Sequence, residues 1–143
     1  MKILIISDIH DHIENLERVL AEAKDKVEAI ICCGDFCAPF ISKILGTTGL
    51  PIYACLGNND QDQIGILKQG GAGLHLTALY EEFGQVELDG KKIAYYHYPK
   101  FGELLAKSGE YDAVFYGHNH TAQNEVIGKT LLVNPGSVSG IIS

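Results

Sequence analysis

The chain has 143 residues, a formal charge of −7, and 46% apolar against 20% charged residues. That balance excludes a disordered or collagen-like chain, and at this length roughly two-thirds of the unfolded surface can be buried without cross-links. The acidity disfavours a protein that follows nucleic-acid backbone, and the longest basic cluster is Lys91-Lys92, so extended nucleic-acid binding is not expected. Two bound divalent cations would offset more than half of the charge, which keeps small anionic substrates in play.

No apolar run reaches the roughly 18–20 residues of a membrane span. "MKILIISDIHDH" meets Asp8 too early for a signal-peptide core. The expectation is a cytoplasmic protein with no membrane attachment, folded as one domain over residues 1–143. Cys32, Cys33, Cys37 and Cys55 sit in or beside apolar runs without Cys-x-x-Cys spacing, which reads as buried reduced thiols rather than disulfides or a zinc knuckle.

In chain order, Lys2–Ser7 is an apolar, β-branched run of the kind buried on both faces of a sheet. Ile13, Leu16, Leu20 and Ala23 then recur at helical spacing, with Glu14, Glu17, Arg18 and Lys24 on the opposite face. A second strand over Glu28–Cys33 ends at Gly34-Asp35 and completes a β-α-β unit. Pro39 opens a short helix through Ile41, Ile44 and Leu45. A third strand, Ile52–Leu56, stops at Gly57-Asn58-Asn59-Asp60. From Gln61 to Leu79 the pattern is weaker, with Gly70, Gly71 and Gly73 breaking a short helix before the chain returns to a sheet. "QVELDGKKIAYYHY" is a hairpin around Asp89-Gly90. "FGELLAKSG" is a helix closed by Gly109, "AVFYGHNH" a strand, and "NEVIGKTLLVNPGS" a hairpin around Gly128-Lys129. The fold class this predicts is α/β, a two-layered mixed β-sheet sandwich flanked by helices.

The chemistry-bearing residues follow the strands: Asp8 and His10 after the first, Asp35 after the second, Asn58 and Asn59 after the third, His97 after the first hairpin, His118 and His120 after the next strand. In open α/β sheets such ends converge on one crevice, so residues far apart in the chain can share a site. Residues two apart in an extended segment point the same way, which would aim Asp8 with His10 and His118 with His120. Asp8, His10, Asp35, Asn58, His97, His118 and His120 offer two carboxylates, four imidazoles and an amide oxygen. That is too many ligands for one ion and suits two. Mixed O and N donors fit Mn, Fe, Ni or Zn better than Ca or Cu(I).

Taken singly, each block has a structural reading: Asp8 or Asp35 as a helix cap, Asn58-Asn59-Asp60 as a turn, His97 as a half-buried polar residue. His12 and His75 keep the structural reading, and Cys33 packs. Tyr95, Tyr96 and Tyr98 read as core and rim packing. All five blocks together are poorly explained that way.

The set "DIH", "GD", "GNND", a later lone histidine and "GHNH" resembles the calcineurin-like metallophosphoesterases, and the short length is similar to their small bacterial and archaeal phosphodiesterase branch. The resemblance implies that Asp8, His10 and His120 hold one metal, that Asn58, His97 and His118 hold the other, and that Asp35 bridges them. It implies a phosphodiesterase that cleaves small phosphate diesters through a dinuclear centre, Mn first and Ni, Fe or Zn next, with a bridging hydroxide attacking phosphorus in line. Gly34, Gly57 and Gly117 fit tight turns before the ligands. The alternative is a protein-interaction scaffold with a vestigial metal site, because the retromer scaffold subunit shares this fold. The retained His10, His97, His118 and His120 argue against it. A metal-dependent nuclease is disfavoured by the acidity.

Three departures from the family pattern stand out. Asn59 replaces a histidine that serves many relatives as general acid. A carboxamide gives up no proton near neutral pH, so Asn59 is expected to orient substrate, with His12 or a metal-bound water assisting the leaving group, and good leaving groups favoured. Tyr98-Pro99 stands where glycine usually follows the lone histidine, and Tyr98 could narrow the pocket or stack on a substrate ring. Relatives continue beyond "NPGS" with further strand sequence, whereas this sequence stops at Ser143. The candidate ligands all precede Asn134, so the site is expected to survive, while edge protection and any homo-oligomer contacts are left open.

Overall fold

The structure, a computed structural model, describes residues 1–77 and 81–140. Leu79, where the weakly patterned stretch ends, and Ser143 lie outside them. In the first half, apolar runs and amphipathic helices alternate: β1 (Ile3–Ile6), α1 (Ile13–Ala23), β2 (Ala29–Cys32), α2 (Pro39–Gly46), β3 (Ile52–Ala54), α3 (Gln63–Gly70) and β4 (Leu74–Leu76). The strands form a parallel sheet in the order β1-β2-β3-β4, with Ile5 paired to Ile31 and Ile31 to Tyr53.

The second half is β5 (Gly84–Leu88), β6 (Lys91–Tyr95), α4 (Pro99–Lys107), β7 (Ala113–Phe115), β8 (Gln123–Ile127) and β9 (Thr130–Asn134). Its sheet runs β5-β6-β7-β9-β8, with β6, β7 and β9 parallel and the two hairpin partners antiparallel. Asp89 and Gly90 both have positive φ, +51° and +74°, as the expected hairpin turn requires.

Side-chain alternation along β2 explains the layering. Ile30 and Cys32 face α1 to α3 together with Leu16, Ile41, Leu45 and Ile66, while Ile31 and Cys33 face the second sheet and meet Ile93, Tyr95 and Phe115. On the far side of that sheet, Leu105 and Ala106 of α4 pack with Ala94, Val114 and Leu132. The order of layers is therefore helices, parallel sheet, mixed sheet, helix, as the sequence predicts. No helix among the described residues is long and apolar enough to cross a membrane.

The strands are one or two residues shorter than the apolar runs that announce them. Ser7, Cys33, Cys55 and Leu56 already belong to loops. This shortening matters for function, because the chain leaves each strand early and turns sharply into the residues that carry chemistry.

Candidate metal centre

Seven of the eight non-glycine residues with positive φ among those described lie in these loops: Asp8, His10, Asp11, Asp35, Cys37, His118 and His120, between +47° and +75°. Such left-handed residues are strained and gather where a site over-determines the backbone. They also correct the expectation of extended segments. Asp8 and His10 converge, as do His118 and His120, because the backbone folds back at each of them and not because alternate side chains of a strand share a face.

The predicted ligands meet in two adjoining groups. In one, His10 Nε2 lies 3.1 Å from His120 Nε2, and Asp8 Oδ1 is 3.2 Å from His120 Nε2 and 3.6 Å from His10 Nε2. In the other, His97 Nε2, His118 Nδ1 and Asn58 Oδ1 are separated by 3.0, 3.1 and 3.3 Å. Between them sits Asp35, whose Oδ2 is 3.4 Å from both His10 Nε2 and His97 Nε2. Donors sharing one ion at about 2.1 Å are themselves about 3.0–3.4 Å apart, so both groups have the dimensions of a coordination shell.

Protonation tells the same story. The Cys33 carbonyl oxygen is 2.7 Å from His97 Nδ1 and can only accept, so Nδ1 carries a proton. His97 Nε2 then faces Asn58 Oδ1 and Asp35 Oδ2, both acceptors. Only a second proton or a cation satisfies that cluster. Burial would lower the His97 pKa, yet the Asp35 carboxylate and the Cys33 carbonyl raise it. Burial would likewise raise Asp35, but hydrogen bonds from His97 and Asn59 hold its carboxyl well below the usual range. Asp8 Oδ1 is a buried oxygen that accepts no hydrogen bond, aimed at His10 and His120. A negative cluster with imidazole lone pairs and an orphaned carboxylate oxygen fits bound cations.

The remaining candidates take other places. Asn59 donates its backbone N–H to Asp35 Oδ1 and its amide to Asp35 Oδ2, each at 2.9 Å. Its side chain clamps the Asp35 carboxylate that lies between the two groups. His12 caps α1, its Nδ1 accepting from the Asn15 N–H at 3.3 Å. Cys32, Cys33 and Cys55 are buried as expected, but Cys37 is only half-buried, with Sγ 3.6 Å from His10 Nδ1. Burial and the nearby carboxylates push its thiol up to about 12, so it is protonated near neutral pH. His75 stacks on Tyr53 at 5.0 Å on the edge strand β4, as its structural reading holds.

Sequence reasoning missed the residues that hold the loops. Asp60, only 4% exposed, accepts backbone N–H groups from Gly57, Asp35 and Cys37 at 2.7, 2.8 and 2.8 Å. Burial pushes its carboxyl above the ordinary range while these three donors pull the other way. Ser7 Oγ and the His118 N–H both donate to Asp8 Oδ2. The "NPGS" turn closes the site from below: Ser137 Oγ donates to the Asp8 carbonyl and Asn134 Nδ2 to Asn119 Oδ1. An Asn-Pro-Gly turn directly after a strand was the available signal.

The glycines make room for the site. Gly34, Gly57 and Gly117 are all needed for space, and Gly34 in addition has φ +93°, a conformation that favours glycine. A Cβ on Gly117 would run into Ser7 Oγ and stand 2.6 Å from Asp8 Oδ2. Gly117→Ala is expected to displace Asp8 and weaken metal binding at least about tenfold. Calorimetric titration of the chelator-stripped variant with Mn²⁺ checks this, and parental affinity would show that the loop moves aside freely.

Comparison with known proteins agrees with this geometry. The chain is 36% identical to phosphodiesterase MJ0936 of Methanocaldococcus jannaschii over 146 aligned positions, covering all of this chain and 87% of that protein. A solved archaeal phosphodiesterase superposes with a TM-score of 0.88 at 34% identity, over 100% of this chain and 88% of that one. Zinc-complexed Vps29 from Entamoeba histolytica shares the fold, with a TM-score of 0.72 at 20% identity over 100% of this chain and 78% of its own. The calcineurin-like phosphoesterase superfamily domain matches residues 1–142, and the chain belongs to that superfamily.

Proposed function

We propose that the chain is a metal-dependent phosphodiesterase that hydrolyses small phosphate diesters with two divalent cations. Asp8, His10 and His120 would hold one, Asn58, His97 and His118 the other, and Asp35 would be shared. The observation that carries this reading is the Asp35 Oδ2 atom, equidistant at 3.4 Å from an imidazole of each group. The likeness to a protein named a phosphodiesterase over the full length of this chain supports diesters as the substrate class. Manganese heads the list of cations, with nickel, iron or zinc next, because the donors mix oxygen and nitrogen.

When bound, the two cations supply a hydroxide nucleophile at neutral pH and offset the charge that develops on the phosphoryl oxygens. The chain's residues prepare the rest. The Cys33 carbonyl fixes the His97 tautomer so that Nε2 presents its lone pair to the site. Asn59 holds Asp35 in one orientation through two hydrogen bonds. Because that carboxamide has no proton to give, esters of acidic alcohols are turned over fastest.

The test uses chelator-stripped protein titrated with Mn²⁺ against a bis-aryl phosphodiester. Turnover should rise and saturate near two ions per chain. Thermal unfolding should shift upward in parallel, each occupied site adding about 2.7 kcal/mol of stability when free metal exceeds its Kd a hundredfold. Two bound ions without any diester cleavage would refute the reading and turn attention to a scaffold.

A further inference from the structure

Beside the two ligand groups stands a ring that the metal chemistry does not use. Tyr98 lies against His97 and His118, with ring centroids 5.0 and 4.9 Å apart, and is 37% exposed. Its direction is fixed by the backbone. Pro99 begins α4, and a residue before proline is held in the extended region. Tyr98 is there, at φ −90° and ψ 138°. Tyr96 supports it at 5.9 Å and itself packs on Phe101 at 4.7 Å. The contacts of Tyr98 are tilted or edge-on, at interplanar angles of 57°, 78° and 58°, so none of these neighbours lies flat on its face.

Resting on the diesterase reading above, we propose that Tyr98 makes the enzyme selective for diesters that carry an aromatic ring on one ester oxygen, by stacking on that ring. A phosphoryl group seated over the Asn58, His97 and His118 group would lie beside Tyr98, since the Tyr98 ring touches both imidazoles. Offset aromatic stacks have centroids about 4.5–7 Å apart, which an ester ring attached to that phosphorus can reach. Asn58, Asn59 and His118, exposed beside it, are polar. Glycine at this position would not give the ring.

Phosphonates separate stacking from leaving-group chemistry, because they have no leaving group for the missing acid at Asn59 to affect. Phenylphosphonate and methylphosphonate are titrated calorimetrically into the Mn²⁺-loaded protein, with metal content measured on the same samples. The parent should bind the phenyl compound about five- to tenfold more tightly. Tyr98→Phe should keep that ratio, and Tyr98→Ala should bring it within about twofold at unchanged metal content. Equal affinities in the parent, or a ratio that survives Tyr98→Ala, overturn the role of Tyr98 and leave the diesterase reading standing. Binding of neither phosphonate overturns both.

Discussion

Replacing Asp35 with asparagine is expected to lower metal-dependent diester turnover by more than about a hundredfold. The substitution preserves shape and removes one charge at the point where both ligand groups meet. Asp35 Oδ2 is 3.4 Å from His10 Nε2 and from His97 Nε2, one imidazole of each group. Asparagine also upsets the second layer. Asn59 offers two donors to Asp35, its N–H to Oδ1 and its amide to Oδ2. A carboxamide at position 35 can present oxygen to only one of them, and its NH₂ must then face the other donor. Either orientation leaves one N–H without an acceptor or turns a donor toward the metal. The check combines turnover of a bis-aryl diester with metal content of the stripped and reloaded protein. Parental turnover with two ions per chain would remove Asp35 from the shared position.

The fold was legible because the apolar runs are short, β-branched and regularly punctuated. Ala29–Cys32 is buried on both faces, and a run with no polar residue is what such a strand must look like. The candidate site was legible for a related reason: polar and ionisable side chains cluster where each run ends. Their backbone geometry was not. Nothing local to Asp8-Ile9-His10 announces positive φ at +54° and +47°, because that conformation is imposed by hydrogen bonds from the Asp8 and His10 N–H groups to the Gly34 and Asp35 carbonyls, across to a different loop. The same holds for Asn59 and Cys37. A carboxamide that clamps a neighbouring carboxylate and a thiol beside an imidazole are products of loop juxtaposition, and composition and spacing carry no trace of it.

Asp60 is the sharpest instance, and removing it should be the most costly change to the framework. Asp60→Ala is expected to destabilise the protein by about 3–5 kcal/mol, because three backbone N–H groups would lose a charged acceptor in a place that water barely reaches. Those donors belong to Gly57, Asp35 and Cys37, on the loops after β3 and β2. One carboxylate therefore ties together the two loops that carry Asp35 and Asn58. Asp60→Asn should fall between parent and alanine, since an amide oxygen can keep part of the set while its NH₂ opposes the rest. The measurement is urea unfolding of chelator-stripped protein, so that no part of the loss can come from departed metal. A second readout follows from the connection: restored metal should bind Asp60→Ala more weakly at both groups, because Asp35 lies between them. If stripped Asp60→Ala unfolds at the parental urea midpoint, the loops are held by something other than this carboxylate. If stability falls while metal affinity does not, Asp60 supports the fold and Asp35 finds its position without it.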